Sequence, residues 1–410
     1  MDITLLKSKL ANRKSEITIT GSKSESNRLL LLQALYPELQ IKNVSNSDDS
    51  ELMQKALETS SNVIDIFHAG TAMRFLTAFF STQKGREVVL TGSPRMQERP
   101  IQILVEALEQ LGAEITYEKN HGYPPIKITG KELTMTKVSL KANVSSQYIS
   151  ALLLVASNLK NGLELQLEGT ITSVPYIKMT LALLNDIGVE TSFVKNTIRV
   201  SPKSQNLKTN SLTVESDWSS ASYFYSIVAL SDLNTEIKLS SYKQNSLQGD
   251  SVLAHIYKNF GVETLYLENA IILKKVANVK ADAVIEFNLS NAPDIAQTIA
   301  VTCLGLGVAC YLTGLHTLKI KETDRLEALK TEIGKFGTTV IITMDTLQIM
   351  AVNPLKENVV VDTYHDHRMA MAFAPLALKV GFAVNEANVV SKSYPDFWYD
   401  LKEIGFLYLD

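Results

Sequence analysis

The sequence predicts an α/β protein of two domains, and three observations carry that expectation. A chain of 410 residues exceeds the size at which one hydrophobic core keeps growing. A helical stretch followed by Gly and an extended segment recurs at near-regular intervals. Short alternating or β-branched runs fill the gaps between those helices.

The recurring pattern is an amphipathic stretch of about twelve residues, a large apolar residue, Gly, a small residue and an extended segment. Its copies are LVEALEQLGAEI ending at Ile115, TLALLNDIGVET at Thr191, LAHIYKNFGVET at Thr264 and LEALKTEIGKFGTTV at Val340. Their glycines, Gly112, Gly188, Gly261 and Gly337, lie 76, 73 and 76 residues apart, and LKEIGF repeats the motif 68 residues later at Gly405. A Gly there suits a helix C-terminus that enters the left-handed region before the chain turns into a strand. Units of about 70 residues fit six times into the chain, are too large for a solenoid, and divide most simply into two domains of three. The expected strands include EITIT (16–20), REVVLTG (86–92), ELQLEG (164–169) and TVIIT (339–343).

Composition narrows the class. With 45% apolar and 20% charged residues, 11 Pro and 19 Gly, the chain has the make-up of an ordinary globular protein without low complexity. A net charge of -3 gives no general attraction to nucleic acid or anionic membranes, so any anion site must be local. The first ten residues, MDITLLKSKL, lack the basic, apolar and small-residue regions of a signal peptide, and no export is expected. Residues 299–312 form the longest apolar run, too short to span a bilayer, and predict a buried helix in which Cys303 and Cys310 serve as small hydrophobes.

Arginine is scarce, and six of its nine positions fall in Gly-, Ser- or acid-rich segments. These are GSKSESNR (21–28), AGTAMR (69–74), SPRMQERP (93–100), KETDR (321–325) and YHDHR (364–368). Arginine captures carboxylate and phosphate through a planar, bidentate fork, so the pattern points to small polyanionic ligands. In the first segment small hydroxyl residues and Lys23 precede an apolar helix, a setting in which Lys23, Ser24 and Arg28 can share one anion with a helix N-terminus. Gly70 opens a helix where a ligand can approach the backbone closely. KETD also matches helix-capping chemistry. Read as a strand, YHDHR brings only His365 and His367 to one face, and no metal site is expected.

The full set GSKSESNR, AGTAMR, LTGSPRMQERP, SSQYISALL, SVPYIKMTL, NAPDIA, KETDRL, DHRMAM and SKSYPDF follows the order and approximate spacing of EPSP synthases, and the chain resembles that family from about residue 15 to 400. The resemblance implies an inside-out α/β barrel of two domains, each of three βαβαββ repeats, with 21–214 forming one domain, 1–20 and 215–410 the other, and the active site in the interdomain cleft. It implies transfer of the enolpyruvyl group of phosphoenolpyruvate to the 5-hydroxyl of shikimate 3-phosphate. Matched motif by motif, Lys23, Gly70, Arg95, Gln147, Arg325, Arg368 and Lys392 are expected at phosphoenolpyruvate. Lys23, Ser24, Arg28, Ser145, Ser146, Gln147, Ser173, Tyr176, Asp294 and Lys321 are expected at shikimate 3-phosphate.

An enol ether becomes electrophilic at C2 only when C3 is protonated, so the reaction needs an acid near C3 and a base near the attacking hydroxyl. Asp294 and Glu322 are the carboxyl candidates, with Lys23, His367 and Lys392 as proton-carrying partners; which carboxylate does which transfer stays open. No cofactor or metal is expected, the partners are the two metabolites rather than nucleic acid or membrane, and a cytoplasmic monomer inhibited by glyphosate is expected. The related transferase acting on UDP-N-acetylglucosamine usually carries a loop cysteine, and residues 93–100 contain none. His68, Phe75 and Thr317 depart from the residues common in EPSP synthases at those positions.

Overall fold

The computed structural model describes residues 1–141, 145–169, 171, 174–203, 207–351 and 354–410. It divides into two compact units, one of residues 1–20 and 215–410, the other of residues 21–214.

The glycine of each copy of the recurring pattern closes its junction into the next strand. Gly112, Gly188, Gly261, Gly337 and Gly405 all take positive φ, from 69° to 111°. At Gly261 the demand is also steric, because an added Cβ would lie 1.9 Å from the carbonyl oxygen of Ala277. The chain therefore reverses there and pairs the next strands.

The strands sort into small sheets that share one design. In strand Val63–Asp65, helix Gly70–Ser81, strand Glu87–Thr91, helix Gln102–Gln110 and hairpin Glu114–Tyr117/Ile126–Thr129, the first two strands pair in parallel and the hairpin adds antiparallel to the second. The same order recurs in 137–200, and in the other unit in 284–349. Two further copies in that unit use distant segments: Lys14–Ile17 pairs in parallel with Glu236–Ser240, and Ile3–Leu5 pairs with both Phe382–Val384 and Tyr408–Leu409. The N-terminal segment thus completes two sheets of the C-terminal half.

The sixth copy is shorter. Gln40–Lys42 and Ser211–Thr213 form a two-stranded parallel sheet without a hairpin among the described residues. Only four residues separate helix Asp48–Glu58 from strand Val63–Asp65, which leaves no length for one.

Each unit buries its own apolar faces. The 21–214 unit gathers Leu29, Leu32, Phe75, Leu76, Leu152 and Leu153 from its inner helices onto Leu90, Ile128 and Leu165 of its sheets. The other gathers Phe224, Ile299, Ala300, Met369 and Phe373 onto Leu239, Leu312 and Val384. Helices Trp218–Leu230 and Ala296–Leu306 are buried along nearly their whole circumference, and their polar residues are confined to small Ser and Thr and one Gln.

Two helices differ from expectation. The apolar run 299–312 is half helix and half strand, because Gly307 at φ 69° ends helix Ala296–Leu306 and strand Ala309–Thr313 follows. Cys303 and Cys310 lie on these two elements, free and buried. The stretch before Gly261 is a chain of short turns, Gly249–Val252, Leu253–Ile256 and Tyr257–Phe260, rather than one helix. Its Gly, Ser, β-branched and aromatic residues are weak helix formers.

Candidate active site

In the 21–214 unit the helix Lys23–Leu35 begins at Lys23, so the GSKSESNR motif is itself helical from its third residue. Arg28 is turned inward. Its Nε donates to Thr180 Oγ1 at 2.8 Å, Nη1 to the Ser24 carbonyl at 2.6 Å and Nη2 to Ser150 Oγ at 2.9 Å. The guanidinium lies over the rings of Phe75 and Tyr176, at 5.4 and 5.8 Å from their centroids. Burial lowers its pKa to about 10, so it stays charged at neutral pH. Lys23 is half-buried, with Nζ 3.8 Å from Asp49.

Ser145 caps helix Ser146–Ala156 by accepting from the Gln147 N–H, and Gln147 Nε2 donates to Thr71 Oγ1 at 3.1 Å, which brings it beside Gly70. Gly70 starts helix Gly70–Ser81 with the Arg99 guanidinium against it, 2.5 Å from where a Cβ would stand. Arg74 is buried and donates to the carbonyls of Gly70 at 3.2 Å and Pro100 at 3.0 Å, while Tyr148 Oη donates to the same Pro100 oxygen at 2.6 Å. These two bonds tie down the end of the 93–100 segment. Arg95 is exposed and pairs with Glu98 at 3.0 Å. Ser173 lies outside the described residues; Tyr176 is on helix Val174–Asp186.

The other unit concentrates charge. Asp324 caps helix Arg325–Lys335 by accepting from Leu326 and Glu327 N–H groups, and Arg325, 2% exposed, stands at its first position. Its guanidinium donates to Asp366 at 2.7 Å, Asp294 at 2.9 Å and Glu322 at 2.7 Å. Asp294, in the turn Pro293–Ile295, also meets Lys321 at 3.3 Å and Arg368 at 3.8 Å. Burial alone would raise the Asp294 pKa, but Lys321, Arg368 and Arg325 hold it well below the usual carboxylate range. Burial likewise disfavours the Arg325 charge, yet Asp366, Glu322 and Asp294 outweigh it and raise its pKa.

Asp366 caps helix His367–Phe373 through the Arg368 N–H at 2.9 Å, so one buried carboxylate fixes both Arg325 and the start of the helix that carries Arg368. Arg368 donates to the Asp294 carbonyl at 3.0 Å and to Ser219 Oγ at 3.2 Å. Lys392 Nζ donates to the His365 carbonyl at 2.7 Å. Tyr364 and His365 both take φ 55°, so the segment is a tight turn rather than the strand expected. His365 consequently points to solvent while His367 is buried, and the two do not share a face. Among the described residues no group of three or more His, Cys, Asp or Glu is arranged to hold a metal ion.

Asp294, Lys321, Glu322, Arg325 and Arg368 therefore form one cluster in one unit, and Ser24, Arg28 and Tyr176 another in the other unit, with Gln147 and Gly70 side by side. Three partners were not singled out from sequence: Asp366, Ser219 and Tyr148. Asp366 and Tyr148 sit inside motifs already noted, but Tyr148 and Ser219 act through contacts more than 40 residues away in sequence.

A family model described as EPSP synthase (3-phosphoshikimate 1-carboxyvinyltransferase) matches residues 54–401. The chain is 47% identical over 398 residues to a 3-phosphoshikimate 1-carboxyvinyltransferase of Bacteroides fragilis, covering 96% of each. The chain belongs to the EPSP synthase family. The like-named protein of Vibrio atlanticus is 36% identical over 423 residues, with 95% of this chain and 96% of that one covered. A solved EPSP synthase from Acinetobacter baumannii covers 100% of both chains with a TM-score of 0.78 at 19% identity, a likeness of fold.

Against the EPSP synthase pattern, Phe75 supplies the ring under Arg28 where Pro is common. His68 lies 3.6 Å from Asp48, and Thr317 leaves its hydroxyl buried without a hydrogen-bond partner among the described residues.

Proposed function

We propose that this chain transfers the enolpyruvyl group of phosphoenolpyruvate to the 5-hydroxyl of shikimate 3-phosphate, releasing phosphate. The observation that carries this reading is the Asp294 cluster. A carboxylate is ringed by Lys321, Arg325 and Arg368, cations that can also engage the phosphate and carboxylate of incoming substrates.

Proton transfer to C3 of phosphoenolpyruvate makes C2 electrophilic, and the 5-hydroxyl oxygen adds there as it gives up its proton. Asp294, ionised throughout the neutral range, is the base in this scheme and Glu322 the acid, with Lys23, His367 and Lys392 as proton-carrying partners. The tetrahedral intermediate then loses phosphate from C2 and a proton from C3, which restores the double bond. Arg95, Arg325, Arg368 and Lys392 stabilise the charge that develops on the departing phosphate and the carboxylate. Ser24, Arg28, Ser145, Ser146, Gln147, Ser173 and Tyr176 hold shikimate 3-phosphate in this reading. The same reading makes glyphosate a competitor of phosphoenolpyruvate and the protein a cytoplasmic monomer.

The test is phosphate release by the purified protein. Release is expected when both metabolites are present and neither suffices alone. Silence with that pair, and release once UDP-N-acetylglucosamine replaces shikimate 3-phosphate, would overturn the reading.

A further inference from the structure

Asp250 is a buried carboxyl of the 215–410 segment that the mechanism leaves unused. Gln248 accepts from the Trp218 N–H at 2.9 Å and donates to the Ser216 carbonyl at 2.9 Å, which pins the turn Gly249–Val252 to the start of helix Trp218–Leu230. Asp250 is thereby fixed beside Ser219, 3% exposed. Ser219 Oγ donates to Asp250 Oδ2, while Oδ1 is buried with no hydrogen-bond partner among the described residues. The same Ser219 oxygen accepts from Arg368 Nη2 at 3.2 Å. A hydroxyl has one proton; committed to a carboxylate, it presents only lone pairs to the guanidinium.

The charged groups facing Asp250 are Asp217 at the head of helix Trp218–Leu230, Asp294 from the turn Pro293–Ile295 and Arg368 from helix His367–Phe373. His255, on the adjoining turn Leu253–Ile256, is exposed. Burial first, and then Asp294, push the Asp250 carboxyl up to about 6, against the pull of Arg368 and Ser219.

We propose that Asp250 is a positioning residue for Arg368, acting through Ser219, and that its negative charge sets how well Arg368 captures the phosphoenolpyruvate anion. This rests on the function proposed above. An ionised carboxylate fixes the Ser219 proton more firmly than a neutral carboxyl or amide does, so the relay is strongest when Asp250 is charged.

The experiment measures kcat and KM for both substrates from pH 5 to 8.5 in the wild type, Asp250→Ala, Asp250→Asn, Ser219→Ala and the Ser219→Ala/Asp250→Ala double variant. At pH 8 each alanine variant is expected to raise KM for phosphoenolpyruvate about tenfold, the size of one lost charge-assisted contact, and to leave KM for shikimate 3-phosphate unchanged. The double variant is expected to be no worse than either single one, because both cut the same relay. Asp250→Asn should lose about fivefold in kcat/KM for phosphoenolpyruvate at pH 8 and nothing at pH 5. The wild-type to variant ratio cancels the substrates' own titrations.

A stability readout separates positioning from damage. A carboxyl whose folded pKa lies above the unfolded value of about 3.9 loses stability as pH rises toward the folded one, so Asp250→Asn should unfold at higher urea than the wild type at pH 8. Additive variants, equal rises in both KM values, or a pH-independent ratio would each overturn the proposal. If Asp250→Ala fails to fold, Asp250→Asn and Ser219→Ala decide it alone. Silence of the wild type with both metabolites overturns the functional reading and the inference with it; an active wild type with unchanged variants overturns the inference only.

Discussion

Replacing Arg325 by lysine keeps the charge and removes the fork, and the structure sets the size of the loss. The guanidinium is 2% exposed and reaches three carboxylates, at 2.7, 2.9 and 2.7 Å. A single ammonium cannot span three such directions, so two of the three contacts go. Each charge-assisted bond contributes about 1.5–3 kcal/mol, and buried carboxylates left with less compensating charge add to the cost, so a loss of about 4 kcal/mol is expected. Both tryptophans, Trp218 and Trp398, lie in the 215–410 segment, so their emission during urea unfolding reports on that unit. With an m-value of about 2 kcal/mol/M the midpoint should fall by about 2 M. Activity measured alongside should drop at least about a hundredfold in kcat/KM. A midpoint shift below about 0.5 M would mean that the three contacts contribute little, and the reasoning would fail.

Other perturbations separate the remaining roles. Asp294→Asn and Glu322→Gln should each slow the chemical step in single-turnover experiments by at least about a hundredfold, and normal chemistry in both would remove them from the mechanism. Because the Asp294 pKa is depressed by folding, its stabilisation is fully present above about pH 4 and is lost as pH falls below it. The urea midpoint followed by tryptophan emission should therefore fall steeply in that acid range, and less so in Asp294→Asn. Wild-type activity should be abolished by glyphosate well below millimolar concentration. Gly70→Ala, whose methyl would stand 2.5 Å from Arg99 Nη1, must displace that guanidinium and should weaken inhibition; equal inhibition of the two proteins would remove Gly70 from the pocket.

The sequence carried the repeat because a glycine in the left-handed region is a local requirement, met at each of the five junctions from Gly112 to Gly405. Where local chemistry was mixed it misled. An apolar stretch suits a buried helix and a buried strand equally, and only the left-handed Gly307 divides 299–312 into one of each. Most of the site residues were legible as motifs, since they sit at or just before a helix start marked by Gly, Ser or Asp, although Lys392 instead ends the turn Ala387–Lys392. Their partners were not. Nothing near Arg74 predicts that it holds the Pro100 carbonyl, and nothing near Ser219 predicts that it lies between Asp250 and Arg368, because both arrangements depend on how distant helices pack.

The most direct measurement follows ¹³C-labelled phosphoenolpyruvate and shikimate 3-phosphate by NMR during incubation with the wild-type protein. Transfer predicts that free phosphate and a new enol ether at the 5-oxygen grow together, one for one. Unchanged phosphoenolpyruvate, or pyruvate and phosphate appearing without the ether, would contradict it.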